Sequence, residues 1–205
     1  MVQNPFDSPV ILLTRLDLTP DGEEPGLAWL DAHFIPTTMR SLDATSAMRL
    51  RCLEGEPDHV VVYGCGSKPL GASAQPMPRT PDMLDRWMRN YDNRWHRASS
   101  RSGGMGQSAL MNLITTRVYP GAARAFDDWY SGVHVPEILA CPGWLNSRRF
   151  AGLDDDGTFL AAYELSDPVT PFDSDPFRSA VGWDGQAEQL IGYHGFRIYE
   201  VVQAL

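Results

Sequence analysis

Two histidines sit in nearly the same setting about a hundred residues apart. His134 follows Trp129-Tyr130 and precedes Pro136-Glu137, and His33 follows Trp29 and precedes Pro36. An imidazole near the middle of a helix whose Trp129 and Val133 face inward can move a proton to or from carbon or oxygen near neutral pH. The plainer alternative is a helix-end histidine bonded to backbone. Arginines form the second group. Arg15 alternates with Thr14 and Leu16 in VILLTRLDL, and Arg117 holds the matching place beside Thr116 and Val118. Arg49 and Arg51 share one face of their segment, and aligning Gly55 with Gly152 pairs Arg51 with Arg148. If Arg15, Arg117, Arg51 and Arg148 lined one cavity they would need carboxylates, because an uncompensated buried charge costs several kcal/mol. Those carboxylates would come from Asp17, Glu54 and Glu164 or from a substrate, and bidentate carboxylate recognition favours the substrate. Tyr163, with Tyr63 as its counterpart, can donate to a developing enolate or simply fill the core.

Such pairs imply that the chain is written twice. Trp29, His33, Pro36 and Tyr63 recur as Trp129, His134, Pro136 and Tyr163, at offsets of 100, 101, 100 and 100. A period this long exceeds the roughly 20–50 residues of solenoid repeats and suits a duplicated small domain.

The elements that must position these residues follow the same order in each half. Val10 to Leu18 reads as a strand, and Glu23 to about Leu42 as a helix broken at Pro36. Ala47 to Leu53 and His59 to Tyr63 read as strands, and Met83 to Trp95 as a second helix. In the second half Leu110 to Tyr119 is a strand and Ala122 to Ala140 a helix. Trp144 to Gly152 and Thr158 to Leu165 form a hairpin around Asp154-Asp155-Asp156-Gly157. Phe172 to Leu190 is helical toward its C-terminal end, and Phe196 to Val202 is a last strand. The expected fold is α+β: two ferredoxin-like β-α-β-β-α-β units packed sheet to sheet as an α+β barrel. The expected boundaries are 1–98 for the first repeat, 99–108 for a flexible linker in place of the first copy's missing fourth strand, and 109–205 for the second repeat.

Composition narrows the partners. Of 205 residues, 43% are hydrophobic and 21% charged, an ordinary globular balance. The formal net charge of -9 argues against nucleic-acid and anionic-membrane surfaces while leaving room for a small anionic substrate. No apolar run approaches the ~18 residues of a membrane helix. Three cysteines without CxxC pairing disfavour disulfides and structural zinc, so a cytoplasmic location is expected. The five histidines are too scattered for a metal site, and no P-loop, GxSxG or dinucleotide fingerprint appears. No cofactor is called for, although haem on a lone histidine stays open.

Trp129-Tyr130, His134-Val135-Pro136-Glu137, Pro142-Gly143, Arg148-Arg149-Phe150 and Ala162-Tyr163-Glu164-Leu165 together resemble the dimeric α+β barrel superfamily. Within it the pattern is similar to EthD-like proteins and muconolactone isomerases. The likeness covers roughly Leu113 to Leu165 and is thinner in the first half. It implies a cavity that binds small, often aromatic-derived or polyketide molecules without a cofactor, and it favours a homodimer. The expected function is a cofactor-independent isomerase, moving a double bond or rotating it, on a small unsaturated carboxylate or lactone from aromatic catabolism. His134 or His33 would shuttle the proton and arginines would anchor the carboxylate. A polyketide-type cyclase or dehydratase, and a non-catalytic small-molecule-binding barrel, are the alternatives.

Overall fold

The computed structural model describes residues 3–68, 87–99, 104–155, 157–180 and 187–205. The chain divides into two compact units, one of residues 1–95 and 201–205 and the other of residues 96–200.

In the first unit, β1 (Val10–Leu18) pairs antiparallel with β3 (His59–Cys65), which also pairs antiparallel with β2 (Ser46–Cys52). Ala47 and Leu205 exchange two backbone hydrogen bonds of 2.9 Å along the outer edge of β2. Between β1 and β2 run α1 (Glu23–Trp29), a π turn (Leu30–Phe34) and α2 (Ile35–Leu42). The expected break at Pro36 is instead this wide turn. Proline brings no N–H to the helical ladder, and its ring crowds the carbonyl four residues back. One extra residue in the turn, with the Ile35 N–H on the Leu30 carbonyl, lets the helix resume with Pro36 in its first turn.

The second unit repeats the device. β5 (Leu110–Val118) is flanked by β7 (Thr158–Leu165) and β8 (Ile191–Ala204), and β7 pairs in turn with β6 (Trp144–Gly152). The helical layer is α3 (Ala123–Trp129), a π turn (Tyr130–His134) and α4 (Val135–Leu139), with the Val135 N–H on the Tyr130 carbonyl and Pro136 next in line. Its core is aromatic: Phe126, Tyr130, Trp144, Phe159 and Tyr163 pack between helices and sheet. The β6–β7 hairpin turns where expected, with Asp155 accepting from the Gly157 N–H at 3.0 Å and the Thr158 hydroxyl at 2.8 Å.

Three expectations need correction. Residues 83–86 of the helix expected over Met83–Trp95 lie outside the described residues, but from Met88 onward the segment is strand β4 (Met88–Ala98). Asn90 has φ 49 there, a left-handed residue that breaks the two-residue alternation and leaves Trp87, Met88 and Tyr91 at helix-like spacing. Its amide donates to Asp17 Oδ2 at 2.7 Å. The first copy therefore has its fourth strand, ahead of the position where the linker was expected to replace it. The described end of the expected linker is anchored: the Gly106 N–H donates to Glu164 Oε2 at 2.7 Å and the Ser108 N–H to Oε1 at 3.3 Å. A side chain at Gly106 would begin only 2.9 Å from that carboxylate, which is why glycine stands there. Finally, among the described residues the helix near Phe172 lies at the start of its segment, as α5 (Thr170–Asp173) and α6 (Asp175–Ala180), with a short 3-10 turn at Glu188–Leu190; residues 181–186 lie outside the described residues.

Candidate functional site

A cavity of about 270 Å³ opens between the helical layer and the sheet of the second unit. Trp144, Phe172, Phe177 and Phe196 supply aromatic walls, and Ile114 and Ile138 supply aliphatic ones. Its polar lining consists of His134, His194, Asn112 and Tyr163. Strand alternation explains the choice on β5: Asn112 and Ile114 look toward the helices, as does Thr116, while Arg117 points to the opposite face.

His134 closes the π turn, so the extra residue of that turn sets its direction. The ring is 7% exposed. It stacks on Trp129 with centroids 5.1 Å apart and meets Tyr130 edge-on at 4.7 Å. Burial, with smaller contributions from His194 and Arg149, lowers its pKa to about 4, so the imidazole is neutral and basic at pH 7. His194 stands on β8 opposite Thr116, its Nδ1 3.3 Å from the Thr116 hydroxyl. Partial enclosure lowers its pKa as well. Tyr163 is fully buried, with its hydroxyl donating to the Tyr130 hydroxyl at 3.3 Å. Burial first, and then the neighbouring Tyr130, raise its pKa well above the ordinary value, so it acts only as a neutral phenol. Asn112 spends its amide on the Arg197 carbonyl at 3.0 Å, and its Oδ1 has no hydrogen-bond partner among the described residues.

Behind the cavity lies Arg149, 1% exposed. Its guanidinium donates to Asp127 Oδ1 at 2.6 Å, to the Asp127 carbonyl and to the Ser131 hydroxyl, and it sits 4.3 Å from the centre of the Tyr130 ring. Sequence reasoning passed over this residue in favour of its neighbour. Signals were present: Arg49 and Arg149 recur at an offset of 100 and hold the same register, opposite Val61 and Ala161. Arg49 makes the matching ion pair, to both oxygens of Asp31 at 2.7 and 2.8 Å.

Of the expected site residues, His134 and Tyr163 meet at the cavity. His33 does not take the place of His134 in its own unit. That place belongs to Phe34, which closes the first π turn and is buried against Trp29 at 5.4 Å, while His33 points to solvent. None of the four arginines lines this cavity. Arg117 is 56% exposed and lies 3.6 Å from Asp155. Arg148 is buried on the sheet face opposite Arg149. Arg15 is half-buried on β1, and Arg51 is exposed at the end of β2 on the same face as Arg49. Arg51 and Arg148 thus fall on unlike faces, and the alignment that paired them was out of register. His194 and Asn112 are the polar residues that the sequence reading did not promote.

No protein-family model matches the chain, and no curated protein matches it. Solved structures do. The chain is similar to a candidate monooxygenase from Lactobacillus acidophilus, at 8% identity over 96% of this chain and 95% of that one with a TM-score of 0.63. It is similar to an anthrone oxidase-like protein at 13% identity, covering 96% and 92%, with a TM-score of 0.65. It also resembles a ferredoxin fold protein from Listeria monocytogenes related to antibiotic biosynthesis monooxygenases, at 10% identity over 94% and 95% with a TM-score of 0.52. The fold is α+β, antiparallel and ferredoxin-like, of the kind these monooxygenase-type proteins have. None of these three is named as an EthD-like protein or a muconolactone isomerase. Among the described residues no helix is long and apolar enough to cross a membrane, and no cluster of three or more His, Cys, Asp or Glu side chains could hold a metal ion.

Proposed function

We propose that the second unit is an enzyme that takes a proton from a small, largely apolar aromatic or polyketide-type substrate, with His134 as the base. The observation that carries this reading is a neutral imidazole held by two aromatic rings at the wall of a largely apolar cavity. A base in such a place is strong toward a carbon acid whose anion spreads into an aromatic or enone system, because no water shell must be stripped from it at the moment of reaction. Asn112 Oδ1 accepts from the hydroxyl form of the substrate oxygen, and the Tyr130–Tyr163 hydroxyl pair can turn a proton toward that oxygen as negative charge collects on it.

None of Arg15, Arg51, Arg117 and Arg148 lines the cavity, which supports a neutral substrate over the carboxylate or lactone acid expected at first. The resemblance in fold to an anthrone oxidase-like protein favours dioxygen as the partner of the anion. A CH₂ group then loses a proton to His134, gains O₂ at carbon, and loses water to leave a ketone, so that CH₂ and O₂ become C=O and H₂O. Isomerisation is the second reading. It is favoured by the presence of two imidazoles at one cavity, one to remove a proton and one to return it at another carbon. We further place the repeat boundaries at 1–98 and 109–205, with 99–108 between them.

Anthrone is a suitable probe. Uptake of dioxygen above the uncatalysed rate supports oxygenation. Accelerated exchange of the methylene protons in D₂O without such uptake supports isomerisation. His134→Ala should lower either rate about 100-fold or more. Wild-type protein that neither binds anthrone nor accelerates either reaction removes the reading.

A further inference from the structure

Among the polar residues of the cavity wall His194 is set apart by its access to water, since Asn112, His134 and Tyr163 are buried. It lies on β8 with its residue exposed, yet it also lines the cavity that His134 occupies. Thr116, directly across the β5–β8 ladder, holds its Nδ1 at 3.3 Å. With Nδ1–H donating to that hydroxyl, Nε2 is left as the basic nitrogen.

The first unit offers an internal comparison. Leu16 stands where Thr116 stands, since they face His59 and Phe159 across the neighbouring strand at the offset of 100 that the chain keeps. In that same unit Phe34 stands where His134 stands. The buried imidazole and the threonine that holds His194 are thus present together in one unit and absent together from the other.

We infer that His194 is a proton relay between His134 and bulk water. After His134 has taken a proton, it passes that proton to Nε2 of His194, which becomes an imidazolium, and the same proton then leaves from Nε2 to solvent. His134 returns to its neutral form without water having to enter the apolar cavity. The relay serves the proton transfer proposed above, but its test needs no substrate, so either idea can fail while the other stands.

The measurement is exchange of the His134 ring N–H with water, followed by NMR in protein labelled with ¹⁵N-histidine. His194→Asn removes the basic ring and keeps a polar side chain able to bond Thr116. It should slow the exchange about tenfold or more, and added free imidazole should restore it. Thr116→Val, which releases the tautomer, should slow it by less. An unchanged rate in His194→Asn overturns the relay, as does a slowed rate that imidazole cannot recover. If His194→Asn alters the fold, seen as shifts across the amide spectrum, His194→Gln is judged by the same two criteria.

Discussion

The His134 ring lies nearly parallel to the Trp129 indole, 20° between planes and 5.1 Å between centroids, across the single widened turn that separates the two residues. The tryptophan covers one face of the imidazole, and the edge of Tyr130 closes another side. Charging the ring means placing a cation where water cannot follow, and this is the first cause of its lowered pKa.

A pH dependence of stability follows. His134 has a folded pKa of about 4 against an ordinary 6.5, so below pH 6.5 the unfolded chain binds a proton that the folded chain refuses. Stability from this group is complete above pH 6.5 and is lost as pH falls toward 4. The full shift corresponds to about 3 kcal/mol. Urea unfolding at pH 7 and pH 4.5 should show most of that loss in the wild type and little of it in His134→Gln. Equal slopes in both proteins would show that the ring is charged in the fold.

The buried and exposed arginines should behave oppositely. Arg149→Met leaves Asp127 without its partner, removes the cation from the Tyr130 face and breaks the link between β6 and the π turn. Losing one half of such a pair costs about 3–5 kcal/mol. Arg117→Met breaks an exposed pair and should cost about 1 kcal/mol or less. Thermal melts of the two variants decide the matter, and similar shifts in both would count against the assignment.

Much of this was legible in the residues, and the failures have identifiable causes. Trp129, His134 and Pro136 mark the helical layer because proline and a large aromatic constrain their surroundings strongly. The β6–β7 hairpin was legible because Asp155 and Gly157 are turn formers acting locally. The cavity's side of the sheet was not legible. Aligning Gly55 with Gly152 set an offset of 97 where the strands keep 100, and an odd slip carries a side chain to the other face, so Arg51 was matched to Arg148. The same error matched His33 to His134, because a shared residue type outweighed the constant offset of 100 that Trp29, Pro36 and Tyr63 all keep. The fourth strand of the first unit was hidden by the left-handed Asn90. Asn112 and His194 are remote in sequence from the helix motif, and only the β5–β8 ladder brings them to it.

His33 provides a control on that register. Its side chain is exposed while Phe34 is buried, so His33→Ala should change stability by about 0.5 kcal/mol or less. Phe34→Ala should cost about 3–5 kcal/mol. Any activity of the second unit should be indifferent to His33→Ala. Loss of turnover in that variant, with the melting temperature unchanged, would return His33 to the candidate site.

Asn112 tests the chemistry of the ligand. Its amide nitrogen is committed to the Arg197 carbonyl, which fixes the orientation of the side chain, and its Oδ1 is a buried acceptor with no partner among the described residues. Such an acceptor costs about 1–3 kcal/mol while it goes without a donor. A ligand carrying a hydroxyl recovers part of that cost, and a pure hydrocarbon recovers none. 1-Naphthol should therefore bind the wild type about five- to tenfold more tightly than naphthalene, beyond their difference in solubility. Asn112→Leu should erase that preference while leaving naphthalene binding nearly unchanged. Its effect on stability should be small, because the lost bond to Arg197 is offset by removal of the unsatisfied oxygen. Calorimetry or tryptophan quenching with the two ligands reads the ratio directly, since Trp144 lines the cavity. A preference that survives in Asn112→Leu would move hydroxyl recognition to His134, His194 or Tyr163 and leave Asn112 as a strand-to-strand tie.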